Sequence, residues 1–355
     1  MRVVFVLPNF SRKLSGGKKV IFEYSNYLDS HNNKVSIFYP FSLYAGFLKK
    51  VRIPVFLQYF VFCLAVILLK NNWFKLNRGV KVRAIYDIKD RYFKNEDKII
   101  ATAVQTAGPV AALKISADKY YFIQDYENWE FSDEFVCNTY SLGMTNIVIS
   151  DWLKKIVDKY SRKESIKVVD GIDTNIFKVT KAIGQREEHT IVFQYRSAKH
   201  KGAEFAFKAI SSLQNKYSDL KVYCISREER PNNLPSSCIY LRNLTSMDVA
   251  RVNNKARIFL CSTVDEGFGL PGLEAMACGC AVVSTEYRGA KEYAINGYNS
   301  LLSHVNDYKE LADNIETLFH NKELESILSN NGVKTASEKS IQYSAELFEE
   351  VLKTR

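Results

Sequence analysis

Residues 258–284 read IFLCSTVDEGFGLPGLEAMACGCAVVS and concentrate the residue types that do chemistry. Gly267, Gly269 and Gly272 stand in G-x-G-x-x-G spacing between a strand-like and a helix-like run, which taken alone suits a dinucleotide. Three features weaken that reading: Glu266 lies directly before the first glycine, Pro271 stands inside the triplet, and the turn falls late in the chain. The physical content is narrower. A glycine-rich turn exposes backbone N–H groups at the amino end of a helix, where phosphate or sugar oxygens are attracted. Glu266 and Glu274 are separated by seven residues, the first in the turn and the second about one turn inside the helix, so both carboxylates can face one cleft. Glu274, on an otherwise apolar helix of small residues, needs a polar partner, because an unpaired buried carboxylate is costly.

Metal chemistry finds little support in the sequence. There is no Asp-x-Asp triplet, the nearest acidic triplet being Asp125-Tyr126-Glu127, and His31, His189, His200, His304 and His320 are scattered. A metal clamp is therefore not expected. The seven cysteines show no C-x-x-C spacing, and Cys278 and Cys280, in a helix-to-strand turn, read as packing. Reduced thiols in a cytosolic protein are the simplest account.

Something must position the glycine turn, and the chain repeats strand then helix. Residues 3–7, 35–39, 98–104, 120–123 and 145–150 read as strands, with a helix at 18–30 after the turn Ser15-Gly16-Gly17 and another begun by Thr106 and Pro109. Residues 1–9 read as a first buried strand rather than a signal peptide. Residues 181–189 (KAIGQREEH) are polar, lack periodicity and read as a linker. The rhythm restarts with strands at 191–195, 221–225, 239–241, 257–262 and 281–284 and a helix at 204–216. Such alternation predicts an α/β protein of two doubly wound Rossmann-like domains, 1–180 and 190–340, with a final helix near 341–353 packing back on the first. A length of 355 residues fits two domains.

Charge separates the two halves. The net +10 of the whole chain resides in residues 1–180, residues 181–355 are neutral, and residues 1–98 alone carry +12. Such density suits an anionic partner. No sequence-specific nucleic-acid module is visible, so a DNA or RNA surface is not expected. Inside the basic region, residues 53–69 (IPVFLQYFVFCLAVILL) hold one polar residue, Gln58, between Lys49, Lys50 and Arg52 on one side and Lys70 on the other. At about 1.5 Å per residue the segment barely reaches the lower limit for a membrane span, and spanning would separate strands needed in one sheet. Two readings stay open: a buried core helix, or a helix lying in the membrane interface.

The stretch EGFGLPGLEAMACG resembles the E-x7-E signature of the family 4 retaining glycosyltransferases of the GT-B fold. The resemblance extends to Ser15-Gly16-Gly17, similar to that family's first glycine loop, and to residues 168–177 (VVDGIDTNIF), where Gly171, Asp173 and Phe177 match. Residues 193–202 (FQYRSAKHKG) resemble the strand and loop that supply an arginine and a lysine, here Arg196 and Lys201, to the donor diphosphate. Gly289, Glu292, Gly297 and Asn299 fit the pattern after the signature helix, and residues 72–97 find no match.

The resemblance implies a retaining transferase of the hexosyl or deoxyhexosyl class that moves a sugar from a nucleoside diphosphate to an acceptor bound by the first domain. Arg196 and Lys201, with helix-end N–H groups at Gly16, Gly17 and the turn Phe268-Gly269-Leu270, would hold the diphosphate and stabilise the leaving oxygen. Glu266 would face the sugar ring and Glu274 the ribose. One departure concerns Gln124, which stands where the family commonly has a histidine and is followed by Asp125. Glutamine can hydrogen-bond a sugar hydroxyl but cannot exchange a proton. Either the departing phosphate accepts the acceptor's proton, as is proposed for retaining enzymes, or Asp125 or Glu127 assists, the phosphate being favoured. The expectation is thus a metal-independent, cofactor-free enzyme of polysaccharide or lipopolysaccharide biosynthesis. It would be cytoplasmic and peripheral on the inner membrane face, taking a nucleotide-sugar donor and an anionic lipid-linked or glycan acceptor. The rivals are an inactive GT-B scaffold or glycan-binding protein, favoured only by Gln124, and a nicotinamide-dependent oxidoreductase, which leaves Arg196 and Lys201 unexplained.

Overall fold

In the computed structural model, which describes residues 1–10, 16–48, 53–68 and 74–354, the short apolar runs become two parallel sheets. The chain divides into two compact units, Met1–Val169 with Gln342–Arg355, and Asp170–Ile341.

The first unit contains β1 (Arg2–Val6), β2 (Lys34–Pro40), β3 (Lys81–Ile85), β4 (Lys98–Ala101), β5 (Asp118–Ile123), β6 (Thr145–Val148) and β7 (Ile166–Lys167). They lie in the order β3-β2-β1-β4-β5-β6-β7, all parallel, with Val4 opposite Ser36 on one side and Ile99 on the other. Burial of β1 from Val3 to Val6 and of all of β4 is what a parallel sheet covered on both faces demands. Strand addition reverses between β1 and β4, so a crevice opens at their carboxyl ends. The helices are α1 (Gly16–Ser30), α2 (Phe41–Leu48), α3 (Val55–Leu68), α4 (Val104–Ala111), α5 (Asp133–Tyr140) and α6 (Asp151–Tyr160).

The second unit contains β8 (Thr190–Gln194), β9 (Lys221–Ser226), β10 (Cys238–Arg242), β11 (Ile258–Cys261), β12 (Ala281–Thr285) and β13 (Ser300–Ser303), in the order β10-β9-β8-β11-β12-β13. Its helices are α7 (Ala203–Gln214), α8 (Ser246–Asn253), α9 (Leu270–Ala277), α10 (Tyr308–His320) and α11 (Lys322–Ser337). Ile191, Phe193, Ile258, Leu260 and Val283 of the sheet meet Ile210, Leu213 and Ile315 of the helices in one core. Here the reversal falls between β8 and β11.

The last helix, α12 (Ile341–Lys353), belongs to the first unit from Gln342 onward. Phe348 packs against the rings of Tyr24, at 4.8 Å, and Phe122, at 5.4 Å, and Asn33 Nδ2 donates to Glu349 Oε1 at 2.8 Å.

Several local expectations need correction. Thr106 does not begin α4: the helix starts at Val104, and the Thr106 hydroxyl accepts the N–H groups of Thr102 and Ala103 from the third helical position. Pro109 lies inside that helix, and β4 ends at Ala101 rather than continuing to 104. The polar segment 181–189 is not a linker but part of the second unit. Its Arg186 is buried and donates to the carbonyls of Lys181, Asn253, Ala256 and Cys278. One guanidinium thereby satisfies backbone groups that would otherwise lie buried without donors. Residues 53–69 do not form a buried core helix: in α3 only Phe62 and Val66 are buried. Leu69 and the flanking Lys49, Lys50, Arg52 and Lys70 lie outside the described residues. Among the described residues no helix is long and apolar enough to cross a membrane.

The first residue of the second unit is Asp170, buried, with its Oδ1 lacking a hydrogen-bond partner. Burial pushes its carboxyl up to about 7. With the folded value above the ordinary value, the folded state binds more protons between about pH 4 and 7, so this group's contribution is present in acid and lost as pH rises through 7. Asp170→Asn should therefore gain stability over wild type as pH goes from 4 to 8, by at most about 4 kcal/mol. Urea unfolding at the two pH values reads this, and an equal difference at both would contradict it.

Candidate active site

The loop after β8 and the loop after β11 meet at the reversal point of the second sheet, the place where ligands bind in open α/β sheets. They are stitched together: the His200 carbonyl accepts the N–H of Val264 at 2.8 Å and of Asp265 at 3.2 Å. Gly202, with φ of 60°, caps the start of α7, and a Cβ there would collide with the Ser262 carbonyl. This close approach brings Lys201 Nζ to 3.0 Å from Glu266 Oε1, with side chains 22% and 26% exposed. Residues 65 positions apart in sequence thus form one partly sheltered pair at the carboxyl ends of two neighbouring strands.

The glycine turn is held from beneath by tyrosines. Gly269 has φ of 98° as the N-cap of α9, and Pro271 follows as the second helical residue, where its missing N–H costs nothing. Tyr293 donates to the Gly269 carbonyl at 2.9 Å, and the Tyr287 and Tyr293 hydroxyls lie 2.9 Å apart. A Cβ at Gly269 would collide with Tyr287, and one at Gly272 with Tyr293. Gly289 admits the backbone of the turn, since its Cβ would lie 2.7 Å from Phe268 N. Phe268 is buried, tilted against Tyr293 at 5.5 Å, so its side chain supports the turn. Glu274 is buried in the second turn of α9 among Leu273, Ala275, Met276 and Ala277. Asn299 fixes the following loop, donating to the Tyr293 carbonyl at 2.8 Å and accepting from Ile295 N at 2.7 Å.

Arg196 follows β8 and donates to its neighbour's carbonyl on Tyr195 at 3.0 Å. Burial and the Arg196 charge together lower the Arg227 guanidinium below its usual range, so two arginines stand near one another beyond β8 and β9. Like charges so placed favour an anion between or beside them. Arg227 escapes a reading by motif because it lies in the irregular segment after β9, where only the fold shows its neighbour. His200 is depressed, first by burial and then by Lys201.

In the first unit, Gly16, Gly17 and Gln124 sit at the carboxyl side of the sheet; Ser15 lies outside the described residues. A Cβ at Gly17 would come to 2.9 Å from Gln124 Oε1, an oxygen buried without a partner. Lys18, the next residue, donates to Asn9 Oδ1 at 2.7 Å, and burial pushes it down to about 8. Asp125 Oδ1 accepts the N–H of Tyr126 at 2.9 Å. Glu127 accepts the first N–H of α4, on Val104, at 2.8 Å, yet burial still pushes it up to about 7. Lys18 carries no motif; at Glu127 burial and the nearby Asp125 and Glu130 charges raise the carboxyl against the Val104 hydrogen bond.

All seven cysteines are free thiols. Burial raises Cys278 to about 12 and Cys280 to about 11, and Cys280 donates to the Asn253 carbonyl at 3.1 Å. These are inert, packed thiols.

Residues 176–335 match the family described as glycosyl transferases group 1. An uncharacterized glycosyltransferase of Methanocaldococcus jannaschii is 28% identical over 214 residues, 58% of this chain and 59% of that protein. The N,N'-diacetylbacillosaminyl-diphospho-undecaprenol alpha-1,3-N-acetylgalactosaminyltransferase of Campylobacter jejuni is 27% identical over 162 residues, 43% of this chain and 40% of that protein. The matches thus span about half the length of these relatives. A crystal structure of HepE from Anabaena in complex with UDP and glucose superposes with a TM-score of 0.77 at 15% identity, covering 100% of each chain. Residues 176–335 are thus similar to the glycosyl transferases group 1 family, and the two parallel-sheet α/β domains share the GT-B fold of the solved structure.

Proposed function

We propose that this protein is a retaining glycosyltransferase that moves a sugar from a nucleoside diphosphate to a lipid-linked or surface-polysaccharide acceptor. The observation that carries the reading is the Lys201–Glu266 pair at 3.0 Å, beside a glycine-capped helix start and Arg196 at the reversal point of the second sheet. Breaking the bond from the anomeric carbon to the diphosphate leaves negative charge on phosphate and positive charge on the sugar ring. Lys201 and Arg196 oppose the first, with the N–H groups that begin α9. Glu266 faces the second and accepts from sugar hydroxyls, and Glu274 accepts from the ribose.

For retention, the new bond to the acceptor oxygen forms on the face the diphosphate leaves, and the departing phosphate oxygen takes the acceptor's proton. Gln124 fits this assignment because an amide binds a hydroxyl without taking its proton. Two fixed cations supply the charge a divalent ion would, so the reaction is metal-independent and needs no further cofactor. The Campylobacter relative, by its name, acts on a diphospho-undecaprenol-linked sugar, and HepE was crystallised with UDP and glucose. Those names support a nucleotide-sugar donor and a lipid diphosphate acceptor here, handled at the cytoplasmic face of a membrane through the basic first unit.

Hydrolysis of a panel of UDP, GDP and dTDP sugars, with and without EDTA, tests the proposal. One donor should turn over and EDTA should not change its rate. Thermal stabilisation by a nucleotide sugar without turnover would instead indicate a glycan-binding scaffold, and stabilisation by NAD alone an oxidoreductase.

A further inference from the structure

Helix α3 has two unlike sides. Tyr59 and Phe62 pack on the rings of Phe41, Tyr44 and Tyr86 at 5.2–5.5 Å, while Phe56, Leu57, Phe60, Val61, Leu64, Ile67 and Leu68 are exposed, Phe56 at 73% and Leu68 at 72%. Val55, at the helix's first residue, is exposed as well; beyond it, at 100° per residue, these seven occupy an arc of roughly 140°, and Val55–Leu68 holds no charged residue. An apolar face of that extent on an otherwise soluble surface marks a docking site.

The surrounding chain says what covers it. Between Asp29 and Asp87 the sequence has nine lysines and arginines and no aspartate or glutamate. Lys75, Arg78, Lys81 and Arg83, just beyond the helix in sequence, are exposed, and α3 packs on β3, which carries the last two. A second copy of this chain would bring the same positive rim against itself, whereas an anionic bilayer meets both the apolar face and the rim. At about 21 Å, α3 is too short to span, so it lies in the interface plane.

We propose that the outer face of α3 inserts into the interfacial layer of an anionic membrane, with the basic residues around it contacting lipid phosphates. This deepens the membrane contact in the proposed function and rests on it for its biological setting. Vesicle binding is measured without donor or acceptor, so failure here leaves the transfer reaction standing, and failure of transfer leaves the binding result intact.

The full chain is sedimented with vesicles of phosphatidylcholine containing 30 mol% phosphatidylglycerol, beside the variant Phe56→Ser/Phe60→Ser/Ile67→Ser. These side chains face outward, so thermal unfolding and donor hydrolysis of the variant should match wild type. Wild type should bind, and the variant should partition at least about 100-fold more weakly, each lost insertion contributing roughly a factor of ten. Raising salt from 0.1 to 0.5 M should weaken wild-type binding without abolishing it, because insertion is not screened. Equal binding by the variant, complete loss in high salt, or no vesicle binding at all would overturn the proposal. So would a wild-type dimer that becomes monomeric in the variant, which would assign the face to a second copy.

Discussion

Lys201→Ala is expected to lower donor turnover about 100- to 1000-fold, the usual cost of deleting one preorganised group that meets charge developing at the reacting centre. The lysine is fixed before substrate arrives, by the tight turn that ends at Gly202 and by Glu266 at 3.0 Å. Its charge therefore needs no reorganisation when the leaving oxygen becomes negative. Glu266→Gln should give a loss of similar size for a different reason: an amide cannot oppose positive charge on the sugar ring, although it can still bind hydroxyls. The two are in contact, so the double variant should lose less than the sum of the single losses. Steady-state hydrolysis of the donor found by the panel measures all three. Unchanged kcat in Lys201→Ala, or strict additivity in the double variant, would remove the pair from the chemistry.

The second large effect concerns folding. Glu325 of α11 is fully buried and meets Arg257 at the start of β11 in a paired geometry, with Nε 3.0 Å from both carboxylate oxygens and a terminal guanidinium nitrogen 2.6 Å from Oε2. Glu188, at 3.9 Å and largely exposed, is a weak substitute partner. Glu325→Ala strands a buried guanidinium and should cost about 3–5 kcal/mol, whereas replacing both residues by leucine or methionine should cost far less, since the paired charges pay for their own desolvation only while together. Urea unfolding of the single and double variants distinguishes these outcomes. A loss below about 1 kcal/mol in the single variant would mean that water or the backbone already satisfies Arg257.

Part of the site was legible because its chemistry is local. The spacing of Glu266, the glycines and Glu274 lies within one turn and helix, so G-x-G-x-x-G and E-x7-E appear in the linear chain. Arg196 and Lys201 entered through the resemblance of residues 193–202 to the family's strand and loop; only Arg196 also stands directly after an apolar strand. Tyr287 and Tyr293 were not, because a tyrosine after a strand resembles any other until Gly269 is seen to lack room for a Cβ. Arg186 was misread for a related reason: a charged residue in a polar, aperiodic segment looks solvated, and only the carbonyls of Asn253, Ala256 and Cys278 around it reveal a buried hub.

The amino-acid sequence by itself determined the alternation of buried strands and helices, and hence two parallel-sheet units, because side-chain burial and helix periodicity are written residue by residue. It also set the charge asymmetry and the apolar character of residues 53–69. Only the tertiary structure decided that Lys201 meets Glu266, since that contact depends on β8 and β11 becoming neighbours at the reversal of strand order. It also decided which side of α3 is covered. Periodicity cannot choose a side on a helix that is apolar all round, and the aromatic rings packed beneath it can.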